Sequence, residues 1–373
     1  MRSNKLNIHA RFFALLLITF VLFSHSAIAQ KKEKLKVLNV FKTNGKIYGE
    51  PIVTKDTTVV FGCHRRSVYF LDKIGNVINT FRTNGWVHAT ASELIDGSIA
   101  IGCYDKNVYF FDKIGNVIKK IKPGGRIFSK IEQFTDGTLV FGTNRKKVQY
   151  IRPDGSSYSF NTKKMVHGGI TIINDDRLVV GASDKQIYVL DKEGNLTTKI
   201  ATKKMVVHSK PAILQNGKIA VGSYDRSLYI FDERTNETHR IKTKGKIHTS
   251  PIQLADGTIV FGSMDRHIYL ADRDGHVIKK IKTGGWVVSS PRALSDTTFC
   301  IGSYDHNLYV ISSTGRIISK FDTGGKIFAS PAVLPDNTIV VASNSKKVYY
   351  LKLEDQELHL TEHPTRQKPK ERL

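Results

Sequence analysis

From Leu35 onward, short runs of β-branched and aromatic residues alternate with clusters of Asp, Gly, Ser and Asn, and no window sustains a helical period. The stretch TGGWVVSSPRALSDTTFCIGSYDHNLYVISSTGRIISKFDTGG holds four such runs. They are WVVSSPRAL, TTFCIGS, NLYVIS and RIISKFD, and turn-forming residues separate them. The pattern predicts four strands per unit. Aligning the units on the glycine of GSYD and its equivalents gives Gly62, Gly102, Gly142, Gly181, Gly222, Gly262 and Gly302, with Ala342 in the same place. These eight anchors are spaced 39 to 41 residues apart.

Four-stranded units at this period imply an all-β, eight-bladed β-propeller of antiparallel blades, in which each sheet is covered on both faces by its neighbours. One domain, residues 30–353, takes in all of them, and a polar basic tail follows over 354–373. Closure is expected from the N-terminus. LKVLNVFKTNG (Leu35 to Gly45) reads like a fourth strand such as HVIKKIKTGG, whereas the last unit has only three clear strands. ELHL, near Leu360, is the less favoured alternative.

Features such as LYIFD-x-x-x-N and SPxxLxxGTIVFGSxDxxLY resemble the pyrroloquinoline-quinone-type (PQQ-like) propeller repeats of bacterial quinoproteins and outer-membrane assembly propellers, over about Leu35 to Leu353. The resemblance implies the fold. It implies little about activity, because such repeats serve enzymes and scaffolds alike. The quinone-dependent dehydrogenases of that group use adjacent cysteines and tryptophan-docking repeats. This chain has no Cys-Cys pair and only Trp86 and Trp286, so PQQ is not expected and no cofactor is assigned.

The N-terminus carries a different pattern. MRSNKLNIHAR is basic, FFALLLITFVLF (Phe12 to Phe23) is apolar, and Ala27-x-Ala29 has the small residues of a cleavage site, so residues 1–29 read as a secretory signal. No later segment approaches the run needed to span a bilayer. The expectation is an exported monomer, periplasmic, cell-surface or secreted. Cys63, Cys103 and Cys300 are too few to staple such a chain, and they read as small packing residues.

The Tyr-Asp pair of the motif suits a turn, with Asp105, Asp184, Asp225, Asp265 and Asp305 bonding nearby amides. Function is therefore sought where the copies differ. Fourteen residues before each anchor stand Tyr48, His88, Phe128, His167, His208, His248, Val288 and Phe328. Four imidazoles in one slot, at the start of the innermost strand, are expected to ring the mouth of the channel. A metal is not expected there, since no HExxH, CxxC or carboxylate cluster accompanies them.

Around that slot lie Lys46, Trp86, Arg126, Lys246, Trp286 and Lys326 two positions earlier, and Lys130 and Lys210 two positions later. Four residues past each anchor come Arg66, Lys106, Lys146, Lys185, Arg226, Arg266, His306 and Lys346. One face should be strongly positive. The formal charge of +24, or +21 once Arg2, Lys5 and Arg11 leave with the signal, favours anionic partners.

Two functions compete. The first is a non-enzymatic binding or scaffold protein whose basic face takes an acidic polysaccharide, an anionic envelope component or an acidic protein surface. His88, His167, His208, His248, Trp86, Arg126, Lys130, Lys210 and Trp286 are its candidate ligand-binding residues. The alternative is a polysaccharide lyase acting on a uronate-containing or sulfated glycan, with His167, His208 and His248 as acid–base candidates. Nucleic acid is not expected for an exported chain without a stacking module.

Overall fold

The computed structural model describes residues 33–355, so the expected signal at 1–29, nearly all of the polar tail and the stretch near Leu360 lie outside it. Every regular element among the described residues is a strand, and the strands form eight separate four-stranded antiparallel sheets. The expected eight-bladed propeller is the observed fold, built by Leu35–Leu353.

Its first strand, β1 (Glu33–Lys42), is not part of the first blade. It is the outermost strand of the last, beside Lys347–Asp355, Ile339–Ser343 and Ala332–Val333. The Thr43 amide donates to the Lys346 carbonyl at 2.8 Å just beyond the strand, so the first and last described strands close the ring together. Blade 1 runs outward through β2 (Ile52–Val53), β3 (Val59–Cys63), β4 (Ser67–Leu71) and β5 (Val77–Arg82). β3 and β4 are buried throughout because neighbouring blades cover both their faces, while β5 presents four of its six side chains to solvent.

The anchor glycines mark the contact between blades. A Cβ on Gly62 would lie 2.1 Å from Val87 Cγ1, and one on Gly181 would lie 2.0 Å from Val206 Cγ1. In the seven blades with an anchor glycine, the second strand thus meets an apolar residue of the next blade where only hydrogen fits, whereas blade 8 admits the methyl of Ala342. Cys63, Cys103 and Cys300 are free and buried, and burial pushes the Cys300 thiol up to about 12.

The Tyr-Asp motif is a tie between linker and blade. Asp105, Asp184, Asp225, Asp265 and Asp305 each accept the hydroxyl of the tyrosine four residues on at 2.6–2.7 Å. The same oxygen accepts an amide from the linker leading into that blade, such as Lys244 N to Asp265 at 2.9 Å. Burial alone would raise the Asp105 and Asp305 carboxyls, but the hydroxyl and amide donors outweigh it and hold both below the usual range.

One expectation is corrected. The innermost strands cover only two residues in six of the eight blades, so the slot fourteen residues before each anchor precedes the strand. In four blades the residue after the slot, Ser129, Ser209, Thr249 or Ser289, uses its hydroxyl to accept the anchor-glycine amide at 2.8–3.3 Å.

Candidate binding face and central channel

The slot side chains meet inside the channel, lower than its mouth. His208 stacks on His248 with centroids 4.2 Å apart, on His167 at 6.1 Å, and lies 6.0 Å from His88, although blades 2 and 5 are three blades apart around the ring. Phe328 packs edge-on against His248 at 5.1 Å, and Tyr48 closes the layer against Phe328 at the same 5.1 Å. The four histidines expected to share a slot do come together, as a plug across the axis.

Blade 5 makes this possible through an extra residue. Val166 and Ile247 pack on the preceding anchor glycine and are each followed by one slot residue, but Val206 is followed by two, Val207 and His208, before Ser209 resumes the pattern. The additional residue is accommodated by a left-handed backbone at His208, φ 67°, a conformation that no other slot residue adopts. Strain of about 1 kcal/mol is the usual cost for a non-glycine residue there.

Desolvation governs the chemistry of these rings. Burial, reinforced by the neighbouring imidazoles, lowers His88 to about 4 and carries His208 well below 6.5. His248 falls to about 4 and His167 is lowered too, both chiefly through burial. Near neutral pH the layer is uncharged. Among the described residues no group of three or more His, Cys, Asp or Glu side chains is arranged to hold a metal.

Beyond the plug runs a polar belt. Lys210 N donates to Ser250 Oγ, Ser250 N to Ser290 Oγ and Ser290 N to Ser330 Oγ, all at 2.8–2.9 Å, so consecutive blades are stitched across the channel wall. Lys210 Nζ pairs with Glu132 at 2.8 Å, Lys130 lies 4.0 Å from the same carboxylate, and Arg292 pairs with Glu50 at 2.7 Å. Burial lowers the Lys130 ammonium, with Glu132 opposing it. Lys130 and Lys210 therefore belong to this belt. They do not stand beside Arg126, which is four residues away along the linker, on the other side of the histidine layer.

The face of the second-to-third-strand turns is built differently. Arg66, Lys106, Lys146, Lys185, Arg226, Arg266, His306 and Lys346 occupy it once per blade, all exposed and all at φ between 60° and 75°. Inside this ring lie Lys46, Trp86, Arg126, Lys246, Trp286 and Lys326, also exposed. They are propped on aromatic rings. Trp86 and Arg126 flank Tyr104 at 6.0 and 5.8 Å, and Trp286 and Lys326 flank Tyr304 at 5.8 and 5.4 Å. The candidate residues thus fall into two groups, His88, His167, His208, His248, Lys130 and Lys210 in the channel, and Trp86, Arg126 and Trp286 on the face.

Four further residues stand out only in three dimensions. Glu50, Glu132 and Arg292 complete the belt, and their signal was a charged residue on an innermost strand or just before it, next to the channel. His64 joins plug to face, with Nε2 3.0 Å from His88 Nδ1, and its signal was a break in the Tyr-Asp motif of blade 1.

No protein-family model matches the chain, and no curated protein matches it. Solved structures do match in shape. BamB from Moraxella catarrhalis superposes with a TM-score of 0.72 at 14% identity, covering 85% of this chain and 99% of its own. The computationally designed Ika8 protein gives 0.72 at 14%, over 84% of this chain and 99% of its own, and Saccharomyces cerevisiae Sqt1 gives 0.74 at 13%, over 87% and 100%. A bacterial, a designed and a yeast protein therefore share one architecture with this chain at low identity, and what they establish for it is the propeller fold.

Proposed function

We propose that this chain is a non-enzymatic binding propeller, with PQQ-like repeats and an exported destination, that presents the face of its second-to-third-strand turns to an acidic polysaccharide. One observation carries the reading. All eight of those turns need a left-handed residue, where Gly or Asn costs least, and all eight hold Lys, Arg or His with its side chain in solvent. Conformation does not select these residues. A ring of cations matched to a polyanion does, through long-range attraction and many weak contacts.

The binding reading is favoured over the lyase. A lyase needs a base and a carboxylate-neutralising cation converging on one substrate atom. Here the imidazoles face one another, Lys210 is committed to Glu132 at 2.8 Å, and Arg126 lies on the far side of the histidine layer.

The test is retention on an immobilised sulfated polysaccharide across a salt gradient, in parallel with the variant Arg66→Gly, Lys146→Gly, Arg226→Gly, Lys346→Gly. The parent should bind at low salt and elute steeply as screening shortens toward about 3 Å at 1 M. The variant should elute much earlier while melting like the parent, because glycine suits each turn. Equal elution of the two proteins would end the proposal.

A further inference from the structure

Blade 1 breaks the repeat on the basic face. In blades 2, 5 and 7 the turn reads Tyr-Asp-cation, and the aspartate ties the linker down. In blade 1 it reads His64-Arg65-Arg66. The Tyr69 hydroxyl, having lost its carboxylate, accepts instead the Asn44 amide at 3.3 Å. An anion has been exchanged for a cation and a stabilising tie given up, as also at Arg145 of blade 3, but there the next blade offers Met165 where blade 1 has Trp86 beside it.

The exchange opens onto a cavity of about 640 Å³ at the junction of blades 1, 2 and 8. Lys46, Arg65, Arg66, Arg82 and Lys346 line it, and none of the five forms an ion pair among the described residues. The Arg65 stem is seated against Gly45, where a Cβ would come within 2.5 Å of Arg65 Cγ. Its remaining wall is aromatic. Trp86, 50% exposed, stacks on His64 at 4.9 Å and 14°, and His64 stacks in turn on Tyr48 at 4.2 Å. Burial and the adjacent Lys46 lower the His64 pKa, so the support beneath the indole is a neutral ring, held also by the His88 contact.

Such a cavity combines a fixed apolar plane with cations whose planar forks suit oxyanions. We infer that it is a subsite for a single acidic sugar unit, with the C–H face of a pyranose ring on Trp86 and its sulfate or carboxylate against Arg65, Arg66 and Arg82. The inference rests on the polyanion reading and adds to it a position where the ring of the sugar, besides its charge, is recognised. Trp286 offers no equivalent, because the blade before it places Met264 and Asp265 where His64 and Arg65 stand beside Trp86, and Asp265 is tied to Tyr269.

The experiment uses the full chain and a defined sulfated tetrasaccharide, titrated calorimetrically at fixed salt, with sodium sulfate and the long polymer as comparison ligands. Trp86→Ala and the pair Arg65→Ala, Arg82→Ala should each weaken tetrasaccharide binding about tenfold, as loss of charge-assisted contacts does. The pair Arg273→Ala, Arg316→Ala removes the same charge from exposed turns on the opposite loop face and should change it less than about twofold. Inorganic sulfate should bind far more weakly than the tetrasaccharide and not respond to Trp86→Ala. Equal losses from the two arginine pairs with no loss from Trp86→Ala would overturn the subsite while leaving the polymer reading intact. Displacement of the tetrasaccharide by equimolar sulfate would overturn it as well. If neither tetrasaccharide nor polymer binds the parent, the underlying reading fails first.

Discussion

The two loop faces of this propeller meet one conformational demand with different residues. On the face of the first-to-second and third-to-fourth-strand turns, positive φ is met mostly by glycine, as at Gly97, Gly137, Gly115 and Gly275, with Asn236 and Asn337 among the exceptions. On the other face the same backbone state is met eight times by Lys, Arg or His. Carboxylates occur on both faces, and on the cationic face Asp105, Asp184, Asp225, Asp265 and Asp305 are engaged by tyrosine hydroxyls. Asp72, Asp112, Asp191 and Asp272 sit on the glycine face and accept the turn amides four residues on at 2.7–2.8 Å. Residues there are chosen for the turn itself. On the cationic face they are kept in spite of it, which separates architecture from function within one repeat.

The largest expected effect belongs to the histidine layer between the faces. A group whose folded pKa is depressed by burial takes up its proton more readily in the unfolded chain, so stability is full above about pH 6.5 and is lost as pH falls toward 4. His88 and His248, each lowered to about 4, should together cost several kcal/mol over that window, at about 1.4 kcal/mol per unit. Denaturant melts between pH 7.5 and 4.5 measure this, and His248→Phe should flatten the slope. The Asp105 and Asp305 ties act lower, since carboxyls held below their usual value lose their contribution only as pH drops through the folded pKa. A flat stability profile from pH 6.5 to 4.5 would mean the plug is looser than its stacking distances indicate.

Next in size is reciprocal transplantation of the rings. Replacing the seven Lys and Arg turn residues with Gly should lower polymer affinity by about a hundredfold or more, at roughly half a kcal/mol per exposed charge. Installing Lys at Gly97, Gly137, Gly217 and Gly257 of such a variant should destabilise it by about 1 kcal/mol per site without restoring affinity. Recovered binding would mean that net charge alone decides and that the faces are equivalent.

A smaller change exchanges the two kinds of turn. Arg65→Asp should recreate the linker tie and raise stability by about 1 kcal/mol, while Asp265→Asn, which weakens the Tyr269 and Lys244 contacts, should lower it by about the same amount. Urea midpoints at pH 7 compare them. Smallest of all, His306→Lys completes the ring of fixed charges. It should steepen the salt dependence of polymer binding by about one further unit of charge, with melting unchanged.

Much of the fold was legible because the anchor glycines repeat a steric requirement, and a requirement of packing recurs in seven of the eight copies, with Ala342 in the last. Gly62 against Val87 states it once and the chain repeats it. The orphan N-terminal strand was legible for the same reason, as a fourth strand without a blade. The channel was harder to read. Counting back from Gly222 puts His208 in line with its neighbours and hides the extra residue after Val206, because insertion and slot cancel in the count. Depth was hidden too, since Arg126 and Lys130 are close in sequence but the ring layer at Phe128 separates them. The pocket at blade 1 left a sign, Arg65 in the place of an aspartate, whose meaning depends on Lys346 arriving from the other end of the chain.

That meeting of ends has a temporal consequence. The strand made first, Glu33–Lys42, has no partner until Lys347–Asp355 has been made, some three hundred residues later. Until then both present unpaired edges, and closing so long a loop is slow. Blades 1 to 7 can assemble in order behind the growing chain, but the ring becomes continuous only once Lys347–Asp355 has been made. Any interruption of the C-terminus would release an open arc with two sticky edges, so the integrity of the last blade decides whether the first strand folds at all.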